Sequence, residues 1–191
     1  MTAYNGTVKL TRTPDRSKPH VQSIAAANDA AMPCAAGWRR FWRTFMEIRF
    51  LNGRDDLSDA FFVRDEVFTK EQGFTIPDAD AFDAISDHMI VYIDGKPAAT
   101  GRVYRDEHGA FHIGRIAVLK QYRGRQLGRL LMDRLEAAAC EQGAEKIVLG
   151  AQLYAVPFYE KCGFTGTGER FFEEFCEHET LVKTVTPFCR T

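Results

Sequence analysis

The sequence predicts an α/β chain of the α+β kind, a mixed and mostly antiparallel β-sheet flanked by helices. Three observations carry this expectation. Apolar runs alternate between a period of two and a period of 3.6 from residue 46 onward. The segment "HMIVYIDGKPAATGRVYRDEHGAFHIGRIAVL" holds three β-like runs broken by Asp94-Gly95 and His108-Gly109, the punctuation of an antiparallel meander. The segment "RQLGRLLMDRLEAAACEQG" sets Leu127, Leu130, Leu131, Leu135 and Ala138 on one helical face and stops at Gly143.

In chain order, "MEIRFLN" reads as a first strand. "DDLSDAFFVRDEVFTKEQGF" follows as a helix, with Leu57, Phe61, Val63, Val67 and Phe68 at helical spacing after an Asp/Ser-rich start and before Gly73. After the meander and the Leu-rich helix, "EKIVLGAQ" is a short buried strand. "YAVPFYEKCG" is a short helix that tolerates Pro157 in its first turn. "GERFFEEFC" and "HETLVKTV" close the chain as two more strands. The order is βα, βββ, α, β, α, ββ.

Residues 46–191 are therefore read as one domain, and residues 1–45 as an extension, disordered or loosely attached. That extension is rich in Ala, Thr and Pro, carries only Asp15 and Asp29 as acids, and sustains neither period. Its basic "RRFWRTF" fits a transit peptide or a solvated flank. At 191 residues and 45% hydrophobic, the chain has the material for one real core. A formal net charge of −1 gives no global case for nucleic acid or an anionic membrane. Any phosphate recognition is expected to be local. Five scattered cysteines without a C-x-x-C pair suit a reduced cytoplasm, and no apolar run approaches membrane-spanning length.

The stretch "RIAVLKQYRGRQLGRLL" runs a strand into a helix through glycines and arginines. A helix N-terminus has unpartnered N–H groups and partial positive charge, so it is an anion site by construction. Gly124 and Gly128 keep side chains away, and Arg123, Arg125 and Arg129 supply charged donors for a diphosphate. A solvated glycine turn accounts for the same residues when nothing else matches. The second motif, "AQLYAVPFYEKCGF", follows directly after the next strand.

Together the two motifs resemble the GNAT family of acetyl-CoA-dependent N-acetyltransferases, whose signature is Arg/Gln-x-x-Gly-x-Gly/Ala. Here Gln121, Gly124 and Gln126 stand at those positions, with Gln126 replacing the usual small residue. The family's N-x-x-A-x-x-x-Y-x-x-x-G-F pattern appears with Gln152 for Asn, then Ala155, Tyr159, Gly163 and Phe164. "VFTKEQGF", the acidic run ending in His88, "GAQ" and "GERFFEEFCEHETLVK" are similar to the ElaA-like subgroup over residues 46–186.

This resemblance implies an N-acetyltransferase fold and acetyl-CoA as cosubstrate, with no metal. Its cofactor residues here would be Ile116, Ala117, Val118, Arg123, Gly124, Arg125, Gln126, Leu127, Gly128, Arg129, Gln152, Phe158 and Tyr159. Tyr159 is the expected proton donor to the departing thiolate, and packing on a short helix is its structural alternative. For the acceptor amine, Glu71 leads as general base, because in this fold the first helix and the loop after it border the acceptor site. Gln72, His88, His112, Glu173, Glu174 and His178 are the other acceptor-side candidates, each equally explicable as a structural residue.

Asp78, Asp80, Asp83 and Asp87 lack the glycine and terminal glutamate of a calcium loop. They read either as a mouth attracting a cationic amine or as a solvated loop. Three function classes stand: a transferase acting on a small or peptide amine, a catalytically silent acyl-CoA sensor, and an enzyme acetylating aminoacyl-tRNA, which the near-neutral charge disfavours. Neither nucleic acid nor membrane is an expected partner. Homodimerisation through the exposed terminal strands is an expectation from the fold.

Overall fold

The structure, a computed structural model, describes residues 20–24 and 45–186. The described residues form an eight-stranded sheet in the order β1-β2-β3-β4-β5-β6-β8-β7. The strands are β1 (His20–Ile24), β2 (Met46–Asn52), β3 (Asp87–Ile93), β4 (Lys96–Arg105), β5 (Phe111–Val118), β6 (Lys146–Gln152), β7 (Thr165–Glu173) and β8 (Cys176–Thr184). Neighbours are antiparallel except β5 and β6. The expected mixed, mostly antiparallel sheet is therefore present. One strand was not expected: within the extension, His20–Ile24 pairs with β2 along its length, while the rest of residues 1–44 lie outside the described residues.

Helices cover both faces. On one, α1 (Ser58–Arg64) buries Ala60 against Ile90 and Tyr92. It continues without a break into a π-helical segment, Asp65–Glu71, whose Val67 packs with Val63, Ala117 and Leu119. On the other, α2 (Leu127–Glu141) drives Leu131, Met132, Leu135 and Ala139 into a core that includes Met89, Val91, Val103, Phe111, Ile113, Ile147 and Leu181. Ala139 rather than Ala138 completes that buried stripe, since four steps from Leu135 keeps the 3.6 period. The short helix α3 (Val156–Lys161) follows β6, with Pro157 in its first turn.

The feature that positions the site is the junction of β5 and β6. These parallel strands pair only at Phe111 with Ile147 and His112 with Val148, then part toward Val118 and Gln152. The parting starts beside a bulge, where Arg115 and Ile116 together face Gly101 of β4. Arg115 takes a left-handed backbone (φ 54°), rare for a residue with a side chain. Gly101 is needed there, because a Cβ would lie 2.5 Å from Ile116 Cδ1 and 2.8 Å from Leu135 Cδ1.

Candidate active site

Two cavities open where β5 and β6 separate. One, of about 950 Å³, lies between the π-helical segment, the end of β5, the start of α2 and α3. The other, of about 590 Å³, lies beneath the loop after the π-helical segment and the β7–β8 hairpin. They share one wall: Gln72, Ile116, Tyr154, Ala155 and Tyr159 face both.

The first cavity gathers most residues expected at a cofactor site. Ile116, Val118, Arg123, Gly124, Gln126, Leu127, Gly128, Arg129, Phe158 and Tyr159 line it. No acid occupies the first turn of α2, and no side chain caps it, so its leading N–H groups are free for an anion. Gly128 also has a packing reason, since a Cβ there would lie 3.3 Å from the Phe158 ring. A diphosphate fits this end of the cavity on those grounds.

Three expected cofactor residues do not line this cavity with their side chains. Ala117 points to the opposite face of β5 and packs among Val63, Val67 and Leu119, as strand alternation dictates between Ile116 and Val118. Arg125 lies outside the cavity, its guanidinium 5.5 Å over the Tyr122 ring. Gln152 lines the second cavity instead and donates to Gln72 Oε1 at 3.0 Å. Gln72 Nε2 in turn donates to the Tyr154 hydroxyl at 3.2 Å, so a polar chain runs along the shared wall.

Glu71 is not a free base here. Its two oxygens accept from Arg123 Nη1 and Nη2, both at 2.6 Å, and this charged pairing lowers its proton affinity. Arg123 is thereby turned along the cavity wall, where its Nε also donates to the Val118 carbonyl at 3.0 Å. Arg129 is likewise committed, to Asp133 at 2.7 Å and to the Lys161 carbonyl at 2.9 Å.

The acidic run is neither an electronegative mouth nor a solvated loop. Asp83 accepts from Arg64 at 2.7 Å and from Arg102 at 2.5 Å. Asp80 accepts from Arg102 at 2.7 and 2.6 Å and from Arg115 at 2.9 Å, and Asp78 pairs with Arg64 and with Arg115. Three aspartates thus balance three arginines. Burial pushes the Asp83 carboxyl up, but the two guanidiniums and the Asp80 N–H outweigh it and hold it far below the ordinary carboxylate range. Asp87 stands apart, accepting from Gln142.

His88 belongs to this network and to neither cavity. It is buried and bonded to the Asp83 carbonyl at 3.0 Å, and burial depresses its pKa, keeping it neutral. Glu174 lines the second cavity, but its carboxylate is spent on the N–H groups of Ile76 (2.7 Å) and Thr75 (2.9 Å), bonds that lower its proton affinity. With Phe74 stacked on Phe175 at 5.0 Å, it ties the 73–77 loop to the hairpin and roofs the cavity.

His112, Glu173 and His178 remain on the second cavity. His112 donates to Asp106 at 2.8 Å and stacks on Tyr104, which stacks on Phe82. His178 Nδ1 lies 3.0 Å from the Cys176 carbonyl. A carbonyl only accepts, so Nδ1 carries a proton, and Nε2 lies 3.7 Å from Glu173 Oε2. Tyr159, on the shared wall, has its phenol pushed upward by burial, so it stays protonated at neutral pH. Tyr154, which the sequence reading missed, shares that wall; its place between two recognised motif residues was the available signal.

Comparison with known proteins agrees with this architecture. The model of the acetyltransferase (GNAT) domain matches residues 71–185. The chain is 39% identical over 130 residues, 66% of its own length and 91% of the other's, to the uncharacterized N-acetyltransferase YjcF of Bacillus subtilis. Among solved structures it resembles an acyl-CoA N-acyltransferase from Pseudomonas aeruginosa, with a TM-score of 0.68, 25% identity, and 73% and 99% of the two chains covered. Escherichia coli ElaA has the same fold, with a TM-score of 0.66, 23% identity, and 72% and 99% covered.

Proposed function

Because the chain belongs to the GNAT acetyltransferase family, we propose that it transfers the acetyl group of acetyl-CoA to a primary amine by direct attack on the thioester. The observation that carries this reading is the shared wall. A cavity ending at an uncapped helix N-terminus meets a second, substrate-sized cavity at Tyr159, beside the edge of β5. Thioester and amine can meet only where two such compartments touch.

In this reading the parted edge of β5, at Ile116 and Val118, receives the pantetheine arm in place of the missing β6 partner. The first turn of α2 takes the diphosphate, and its N–H groups supply the donors. An alkylamine with pKa ~10.4 is only about one part in a thousand neutral near pH 7.4, so its proton needs a destination. His178 Nε2 fits that role, with Glu173 beside it to stabilise the imidazolium that forms. As nitrogen bonds to the acetyl carbon and the carbon–sulfur bond breaks, the Tyr159 hydroxyl donates to the departing sulfur. Glu71 braces Arg123 rather than moving a proton.

A thermal-shift titration with acetyl-CoA tests the reading, run beside Gly124→Glu, which puts negative charge where the diphosphate would lie. At 100 times the dissociation constant, native-state binding adds about 2.7 kcal/mol. A shift in the wild type that is lost in the variant supports the reading. Its absence from folded wild type removes acetyl-CoA. Binding with no turnover on any amine would leave an acyl-CoA sensor.

A further inference from the structure

We infer that the acceptor is a primary alkylamine bearing an aromatic ring and lacking a carboxylate, a statement that rests on the transferase reading above and names its substrate class. The argument begins with the charges on the second cavity. Four carboxylates line it: Asp78, Asp80, Glu173 and Glu174. The two aspartates are held by arginines, and Glu174 by backbone N–H groups. Glu173 alone of the four has neither a lysine or arginine nor a backbone N–H against its carboxylate, and its side chain is 49% exposed.

The cations tell the complementary story. Among the described residues, Arg102 and Arg115 are the two arginines on the cavity, and both are already paired with Asp80. No lysine lines it. The cavity therefore offers one uncommitted anion for an ammonium group and no uncommitted cation for a substrate carboxylate. An amino acid would bring its carboxylate to Glu173 without compensation. A diamine would bring a second charge with no second uncommitted acid to meet it.

The walls supply the body of the substrate. On the β4–β5 side, the rings of Phe82, Tyr104 and His112 stack nearly parallel, with centroids 4.7 and 5.0 Å apart and planes within 18° and 11°. On the β7–β8 side, Phe171 and His178 stack at 5.4 Å and 19°. Two rigid aromatic walls of this kind favour a flat, apolar partner over a flexible chain. They also attract an ammonium group, which reinforces Glu173.

The test compares three amines by thiol release: 2-phenylethylamine, L-phenylalanine, which adds only a carboxylate, and n-hexylamine, which lacks the ring. We expect kcat/KM for 2-phenylethylamine to exceed that for L-phenylalanine by about a hundredfold, through like charge at Glu173, and that for n-hexylamine by about tenfold, through ring stacking. In Glu173→Gln the first ratio narrows by about tenfold, and in Phe171→Leu the second approaches one. Both are ratios within one protein, so a general loss of activity cancels. Equal turnover of the three amines overturns this substrate class and leaves acetyl transfer standing. If none is acetylated although acetyl-CoA binds, thermal shift with the amines alone decides the ligand class. Stabilisation by 2-phenylethylamine and not by L-phenylalanine then supports it, and no difference overturns it.

Discussion

The Glu71 carboxylate grips the Arg123 guanidinium through two hydrogen bonds of 2.6 Å, joining the last residue of the π-helical segment to the turn that leads into α2. Both residues line the larger cavity. A brace and a base make different kinetic predictions. In Glu71→Gln we expect kcat to stay within about threefold and the change to fall on KM for acetyl-CoA. The pH profile of kcat/KM keeps its shape. A fall in kcat of about a hundredfold or more at saturating acetyl-CoA would return Glu71 to the proton path.

Tyr159 and His178 are expected to act on turnover rather than on cofactor binding. Tyr159→Phe and His178→Gln should each lower kcat by about a hundredfold or more, the usual scale of a lost acid or base. The acetyl-CoA thermal shift of Tyr159→Phe should match wild type. Full activity in either variant would remove that residue from the mechanism.

The buried network predicts how stability depends on pH. His88 and Asp83 both bind protons less readily folded than unfolded, so each contributes stability that is complete above its ordinary value and is lost as pH falls toward its folded one. Denaturation midpoints should be level above about pH 6.5, decline gently below it as unfolded His88 charges, and fall more steeply below about 3.8, the ordinary carboxylate value for Asp83. Arg64→Met removes one partner of this network and should cost about 3 kcal/mol. A midpoint unchanged between pH 7 and 3 would show that the network does not resist protonation.

Gln126 holds a left-handed backbone (φ 61°, ψ 18°) at the position that caps α2, where a glycine would sit without strain. Its side chain makes no capping bond in return. Gln126→Gly should therefore stabilise the fold by about 1 kcal/mol, read as a higher unfolding midpoint. A lower midpoint would mean that the exposed amide makes a compensating contact.

The sheet, the helices and the glycine-rich turn before α2 were legible because each depends on neighbours close in sequence. Leu131 and Leu135 advertise α2, and Asp94-Gly95 advertises a hairpin. The acceptor side was less legible. Arg64, Arg102 and Arg115 neutralise the acidic run from 14 to 35 residues away, and nothing local reveals it. The role of Glu71 depends on Arg123, 52 residues further on. The π-helical pitch of Asp65–Glu71 escaped for a different reason. Its residues suit an α-helix equally well, and the packing of its Val67 on Ala117 and Leu119 joins it to residues far along the chain.

Two residue pairs, Phe111–Ile147 and His112–Val148, are all that stitch β5 to β6. The sheet is thus two plates on a short suture, one carrying β1 to β5 and the other β6 to β8. Each compartment takes one side from either plate, with Ile116 on the first and Tyr154 and Tyr159 carried by the turn and helix that follow β6. A ligand whose backbone-like amides bridge the gap would splice the plates together. Occupying the larger compartment would then stiffen the smaller one, and the order in which the two substrates arrive would follow from the length of a seam.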